Sequence, residues 1–243
     1  MGRTDATFYC PKTDHISRTL PPPERALSEP NGLLAIGGDL APNTLIAAYR
    51  VGVFPWYSDG QPLLWWSPDP RCVLRPAEFH LSRSLLRDLR RRPWRITLDR
   101  DFTRVMRACA AERHGHRGTW ITDDMLTAYT ELYRLGYAHS LECWLDDGLA
   151  GGIYGVAIGQ VFFGESMFSR VTNGSKVALY ALTRRLHAWG YSLLDCQVAN
   201  PHLHTLGAVL MPRMEFSAFL QTACGGRVES HAWCSLDACD VPP

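Results

Sequence analysis

The sequence predicts an α+β fold, with a mixed, mostly antiparallel sheet behind a smaller N-terminal domain of loops and short strands. Three observations carry this expectation. Residues 1–69 are punctuated by Pro and Gly, as in "PPPERAL", "EPNGLLAIGGDL" and "VGVFPWYSDGQPLLWW", whereas residues 70–243 contain longer periodic segments. From Thr119 onward those segments run helix, three-stranded meander, helix, strand, short helix, an order that suits an α+β plan with a mixed sheet. With 243 residues, 46% apolar and 20% charged, the chain can bury the core of one large domain or two smaller ones.

The first segment predicts one helix, from about Pro42 to Arg50. It has Asn43 or Asp39 near its start, Gly52 past its end, and Leu45, Ile46, Ala48 and Tyr49 spaced to bury a stripe. In "SRSLLRDLRRRPWR", Leu85, Leu86 and Leu89 fall on one side of a helix and Arg83, Arg87, Arg90 and Arg91 largely on the other. "DDMLTAYTELYRLGYA" reads as a helix with Met125, Leu126, Tyr129, Leu132 and Tyr133 on one face and Gly136 closing it. The strands "AHSLECWL", "LAGGIYGVAI" and "VFFGESMFS" follow, joined by turns at Asp147-Gly148 and Gly159-Gln160. "NGSKVALYALTRRLHAWG" is a helix capped by Asn173 and closed by Gly190; it leads into the strand "YSLLDCQ" and a short helix opening at Asn200-Pro201.

Composition narrows the setting. The first 23 residues contain no apolar h-region, and nowhere do 18 uncharged apolar residues run together, so neither export nor membrane insertion is expected. The eight cysteines form no CxxC pair, which predicts free thiols in a reducing cytoplasm. Cys224, His231, Cys234 and Cys239 gather in the tail, but their spacing fits no common structural zinc pattern, and no metal or cofactor is expected. The net charge is only +1, yet eleven arginines and four acidic residues lie between His80 and Trp120. That local excess suits a phosphate backbone, and equally a solvated helix in an arginine-rich chain.

Two polar positions stand out. In "LLDCQVANPHLHTLGA", Asp195 and Gln197 lie two apart at the end of an apolar strand, so simple alternation puts both on one face. Turn formation is the other use of such residues. Glu165 sits inside the otherwise apolar "FFGESMF", where a charge is costly unless paired, and a cationic amine or basic side chain is its natural partner.

The order of elements resembles a GNAT-type acyltransferase domain, whose ordinary members bind coenzyme A pyrophosphate on a Gly-rich turn before the central helix. Here "SRVTNGSK" keeps Arg170 but places Asn173 at a glycine position. Close approach of backbone to pyrophosphate requires glycine, so a different acyl donor is expected. A coenzyme A-dependent N-acetyltransferase would need that turn intact. A non-enzymatic RNA-binding module would need the arginine helix but not Asp195, Gln197 and an apolar slot.

Four long motifs in order, "EPNGLLAIGGDLAPNTLIAAYRVGVFPWYSDGQPLLWWSPDPR", "GTWIT", "LAGGIYGVAIGQVFFGESMFSRVTNGSKVAL" and "LLDCQVANPHLHTLGA", closely resemble the leucyl/phenylalanyl-tRNA–protein transferases, over about Phe8 to Leu220. The resemblance implies transfer of Leu or Phe, with Met a further candidate, from aminoacyl-tRNA to the N-terminal Lys or Arg of a protein, marking it for degradation by the N-degron pathway. The partners it implies are aminoacyl-tRNA and proteins with N-terminal Lys or Arg, with neither DNA nor membrane among them. It implies that Asp195 and Gln197 form the catalytic pair, Asp195 orienting the amine and helping to accept its proton, Gln197 holding the pair or meeting the oxyanion. Ile153, Phe162, Met167, Leu179, Leu182 and Leu194 match the positions of the family's slot for the donor side chain. Trp56 and Trp120 suit stacking on the terminal adenine. Glu165 is expected to bind substrate, with the choice between it and Asp195 as reader of the acceptor's positive side chain left open. Arg83, Arg87, Arg90 and Arg91 are the expected tRNA contacts.

Overall fold

The computed structural model describes residues 7–13, 15–111 and 121–234, together with the backbone of 239–240. Two sheets organise them. The first is antiparallel, in the order β2-β1-β3-β5-β4, from β1 (Phe8–Cys10), β2 (His15–Ser17), β3 (Leu33–Gly37), β4 (Phe54–Pro55) and β5 (Leu64–Trp66). Helix α1 (Pro42–Arg50) lies between β3 and β4 in the chain and buries Leu45, Ala48 and Tyr49, as its stripe predicts. Ala41 stands at its N-cap without a side-chain cap bond, and of the two residues expected near its start Asp39 supports the approach, its Oδ1 accepting from Ala41 N and Thr44 Oγ1.

The second sheet has the order β12-β6-β11-β10-β9-β8-β7-β13. Its strands are β6 (Arg71–Leu74), β7 (Arg95–Leu98), β8 (Ala138–Leu145), β9 (Gly148–Ile158), β10 (Val161–Ser169), β11 (Leu193–Gln197), β12 (Val209–Met211) and β13 (Cys239–Asp240). Among the described strands only the β10–β11 pair is parallel, and helix α5 (Gly174–Ala188) makes its crossover. The other helices are α2 (Arg83–Arg91), α3 (Phe102–Ala110), α4 (Asp123–Arg134), α6 (Pro201–Thr205) and α7 (Arg213–Ala223). The predicted α+β plan with a mixed, mostly antiparallel sheet is therefore found. No helix among the described residues is long and apolar enough to cross a membrane.

The expected cap of α5 is corrected. Asn173 adopts a left-handed conformation with φ of 71° and makes no side-chain cap bond; Ser169 Oγ instead accepts from Ser175 N at 2.7 Å. The start of α5 lies almost on β9, so that a Cβ on Gly174 would stand 2.5 Å from the carbonyl oxygen of Ala150. Only glycine permits that approach, and it presses the helix flat onto the meander.

Each face of the second sheet carries an apolar cluster. One, under α5 and α2, gathers Leu85, Leu89, Phe162, Leu179, Leu182 and Leu194. The other runs continuously from Phe163, Tyr154 and Leu193 through α3, α4 and α7 to Tyr49, Phe54 and Trp65 of the first sheet region. The candidate site sits at this junction.

Candidate functional site

Bulges on two neighbouring strands build the site. The register of β10 against β9 shifts between Gly164 and Ser166, and that of β11 against β6 shifts between Asp195 and Gln197. Such insertions re-aim side chains, and here they act on Glu165, Cys196 and Gln197. Gln197 has a φ of 61°, in the left-handed region. Its N–H donates to Asp195 Oδ1 at 2.8 Å, which holds the turned conformation.

Simple alternation is thus not how Asp195 and Gln197 meet; the bulge and this hydrogen bond bring them together. Asp195 is 0% exposed. Arg71 on β6 donates Nε to its Oδ1 at 2.8 Å and Nη2 to its Oδ2 at 2.7 Å. The remaining Arg71 nitrogen donates to Gly52 O at 2.9 Å, and the guanidinium lies 4.8 Å from the ring centres of both Phe54 and Phe216. With its charge matched and both oxygens engaged, Asp195 is a fixed anchor.

Glu165 is the carboxyl group that reaches the surface. It is 8% exposed and lines a pocket of about 140 Å³ with Phe54, Pro55, Trp56, Cys196, Gln197 and Val198. Oε1 accepts from Tyr49 at 2.7 Å and from Gln197 Nε2 at 2.7 Å; Oε2 accepts from Tyr129 at 3.2 Å. The two phenols also hydrogen-bond each other. Burial pushes the Glu165 carboxyl up to about 7, opposed by the Tyr49 and Tyr129 hydroxyls, aided by the negative charge of Asp195 and opposed by Gln197. Burial likewise raises both phenols well above their ordinary range, with the charge of Glu165 adding to it.

The other expected site residues separate into groups. Trp56, 43% exposed, forms part of the pocket rim and packs on Trp66 at 5.9 Å. Trp120 lies outside the described residues. Ile153, Phe162, Leu179, Leu182 and Leu194 are all buried in the cluster beneath α5, and only Met167 is half-buried. Because Phe162 and Leu194 alternate with Phe163 and Asp195 along paired strands, the expected slot lies on the opposite face from the carboxylates. Cys196 packs against that cluster and also lines the pocket, so the β11 bulge joins the two faces. Arg83, Arg87, Arg90 and Arg91 are exposed on α2, as its amphipathic pattern predicts. Arg87 and Arg91 border a hollow of about 310 Å³ with Ser84, Asp88, Arg92 and Asn173, apart from the carboxyl pocket.

Sequence reasoning missed Arg71 as the partner of Asp195, and read Tyr49 and Tyr129 only as buried stripe. The available signal was the tyrosine itself, since a buried phenol needs a partner for its hydroxyl.

Relatives place the chain among the aminoacyltransferases. The family profile described as leucyl/phenylalanyl-tRNA protein transferase matches residues 73–221, and that of its N-terminal domain matches residues 38–69; the chain belongs to this family. The leucyl/phenylalanyl-tRNA–protein transferase of Nitrosospira multiformis is 54% identical over 214 residues, covering 88% of this chain and 92% of the relative. That of Pseudomonas syringae pv. syringae is 57% identical over 204 residues, covering 84% and 89%. The structure of L-PGS from Bacillus licheniformis aligns with a TM-score of 0.39 and 10% identity, over 66% of this chain and 52% of that one. That likeness is too slight to support the expected GNAT-like architecture.

Proposed function

We propose that this aminoacyltransferase moves Leu or Phe, with Met as a further donor residue, from aminoacyl-tRNA to the N-terminal Lys or Arg of cytoplasmic proteins, committing them to the N-degron pathway. The observation that carries the acceptor choice is Glu165, an acidic group lining a small pocket otherwise formed by Phe54, Pro55, Trp56, Cys196, Gln197 and Val198. A cationic N-terminal residue supplies the charge that such a carboxyl lacks. Gln197, whose amide already reaches Glu165, is placed to orient the amine or meet the developing oxyanion. Asp195 serves as the positioning residue that holds Gln197 in its turned conformation.

The donor's side chain would enter the cluster of Ile153, Phe162, Met167, Leu179, Leu182 and Leu194, beginning at the half-buried Met167, whose flexible thioether can give way. Trp56 and Trp120 would stack on the terminal adenine, and Arg83, Arg87, Arg90 and Arg91 would meet the phosphates of the stem. In this reading residues 1–69 supply the pocket's aromatic rim, and residues 70–243, as a GNAT-like transferase domain, supply the groups that act on the ester. The decisive test is incubation with labelled Leu-tRNA and either an Arg-initiated or a Glu-initiated peptide. Label on the Arg peptide alone is expected; none on either would sink the proposal.

A further inference from the structure

We propose that Glu165 is the proton acceptor for the α-ammonium group of the acceptor, and that Tyr49 and Tyr129 close a ring with it that has room for one added hydrogen. This rests on the aminoacyl-transfer reading above.

The hydrogens of the ring can be counted. Three hydrogen-bonded pairs join three groups: Tyr49 with Tyr129, Tyr49 with Oε1, and Tyr129 with Oε2. The two phenols supply two hydrogens, and an ionised carboxylate supplies none. One pair therefore lacks a hydrogen while Glu165 is charged. A proton on Oε2 can be donated to Tyr129, whose hydroxyl then turns to Tyr49, which donates to Oε1, so that every pair holds a hydrogen. Gln197 Nε2 donates to Oε1 in either state. Asp195 offers no such room, because Arg71 and the Gln197 N–H occupy it and it is 0% exposed.

The surroundings favour a shared proton. Facing Glu165 are Tyr49 from α1, Tyr129 from α4, Tyr154 from β9 and Asp195 from β11, the last with its charge matched by Arg71. Burial, opposed by the hydrogen bonds from Tyr49 and Tyr129, aided by the negative charge of Asp195 and opposed by Gln197, brings the carboxyl up to about 7. An α-amino group titrates at about 7.7–8.0, so transfer between the two is nearly balanced. The ammonium gives one proton to Glu165, and the freed nitrogen lone pair attacks the ester carbonyl carbon. The C–N bond forms, the ester C–O bond breaks, and the second nitrogen proton leaves with the departing ribose oxygen. Glu165 then returns its proton to water through the pocket, for a net release of one proton per peptide bond.

The test is single-turnover transfer from Leu-tRNA to saturating Arg-initiated peptide across pH, for the wild type, Glu165→Gln and Tyr129→Phe, with infrared titration of each free protein. The wild-type rate should rise through a limb near 7. Glu165→Gln should lose that limb and about 100-fold in rate, while binding tRNA unchanged. Tyr129→Phe should move the limb to higher pH and so slow transfer at neutral pH, since it removes a donor that favours the charged carboxyl. In the infrared, a carboxylic acid band with a midpoint near 7 should be absent from Glu165→Gln. Wild-type transfer with a Glu165→Gln rate within twofold, or a band titrating in the ordinary carboxyl range, would overturn the inference and leave the transfer reading intact. No wild-type transfer would overturn both.

Discussion

At the level of single residues, Asp195 and Glu165 are two carboxyl groups made different by their partners. Asp195→Asn would strand the buried Arg71 guanidinium, and removing one member of a buried pair costs about 3–5 kcal/mol. A lower denaturant midpoint is therefore expected alongside slower transfer; a variant as stable and as active as the wild type would remove Asp195 from its anchoring role. Glu165 makes stability depend on pH. Its folded value, about 7, lies above that of an unfolded Glu, so between the two the native state holds more protons than the unfolded one. Stability from this group is present at low pH and is lost as pH rises through the folded value. Glu165→Gln should thus gain thermal stability over the wild type as pH climbs from about 4.5 to 8, with the two converging at the acid end. Parallel melting curves across that range would contradict the sign. The oddity of Glu165 in an apolar strand was legible in the sequence, but the phenols that receive it were not, because nothing local links Tyr49 or Tyr129 to β10.

Helices and strands differed in how plainly the sequence encoded them. The helix periodicity of α2, α4 and α5 and the turns of the meander identified those elements. The short β6 is buried at all four positions and shows no alternation to read. The slot expected from the family resemblance consists of side chains that pack α5 against the sheet, and two substitutions separate its members. Leu179 is 1% exposed, so Leu179→Ala should act chiefly on stability, costing about 2–5 kcal/mol. Half-buried Met167 should instead alter the preference between Phe and Leu donors, by about 1–3 kcal/mol in relative kcat/KM. Equal reductions for all donors with Met167→Ala would return it to plain core. For α2, replacing Arg87 and Arg91 should weaken binding to every tRNA and flatten the dependence of log K on log salt by about 0.7–0.9 for each phosphate no longer neutralised. Turnover of a short aminoacyl-adenosine should survive, and an unchanged salt slope would leave these arginines a solvated face.

Across the whole molecule, the site depends on the packing of the first sheet region against the second sheet. Gly52, with φ of 77°, passes so close to α7 that a Cβ there would lie 2.8 Å from the Phe216 ring, while Phe216 also covers the Arg71 guanidinium. Phe216→Ala should therefore cost about 3–5 kcal/mol, and calorimetry should show one cooperative transition at lower temperature together with reduced transfer. Two separate transitions would show that the sheets melt independently. The sequence by itself determined the α+β class, the periodic helices and meander, the exposed arginine face and the family motifs, because these follow from local spacing and from the residues themselves. Tertiary structure alone decided which carboxyl is anchored and which is open. Arg71 meets Asp195 across 124 positions and Tyr49 meets Glu165 across 116, through strand register and two bulges that no local pattern encodes.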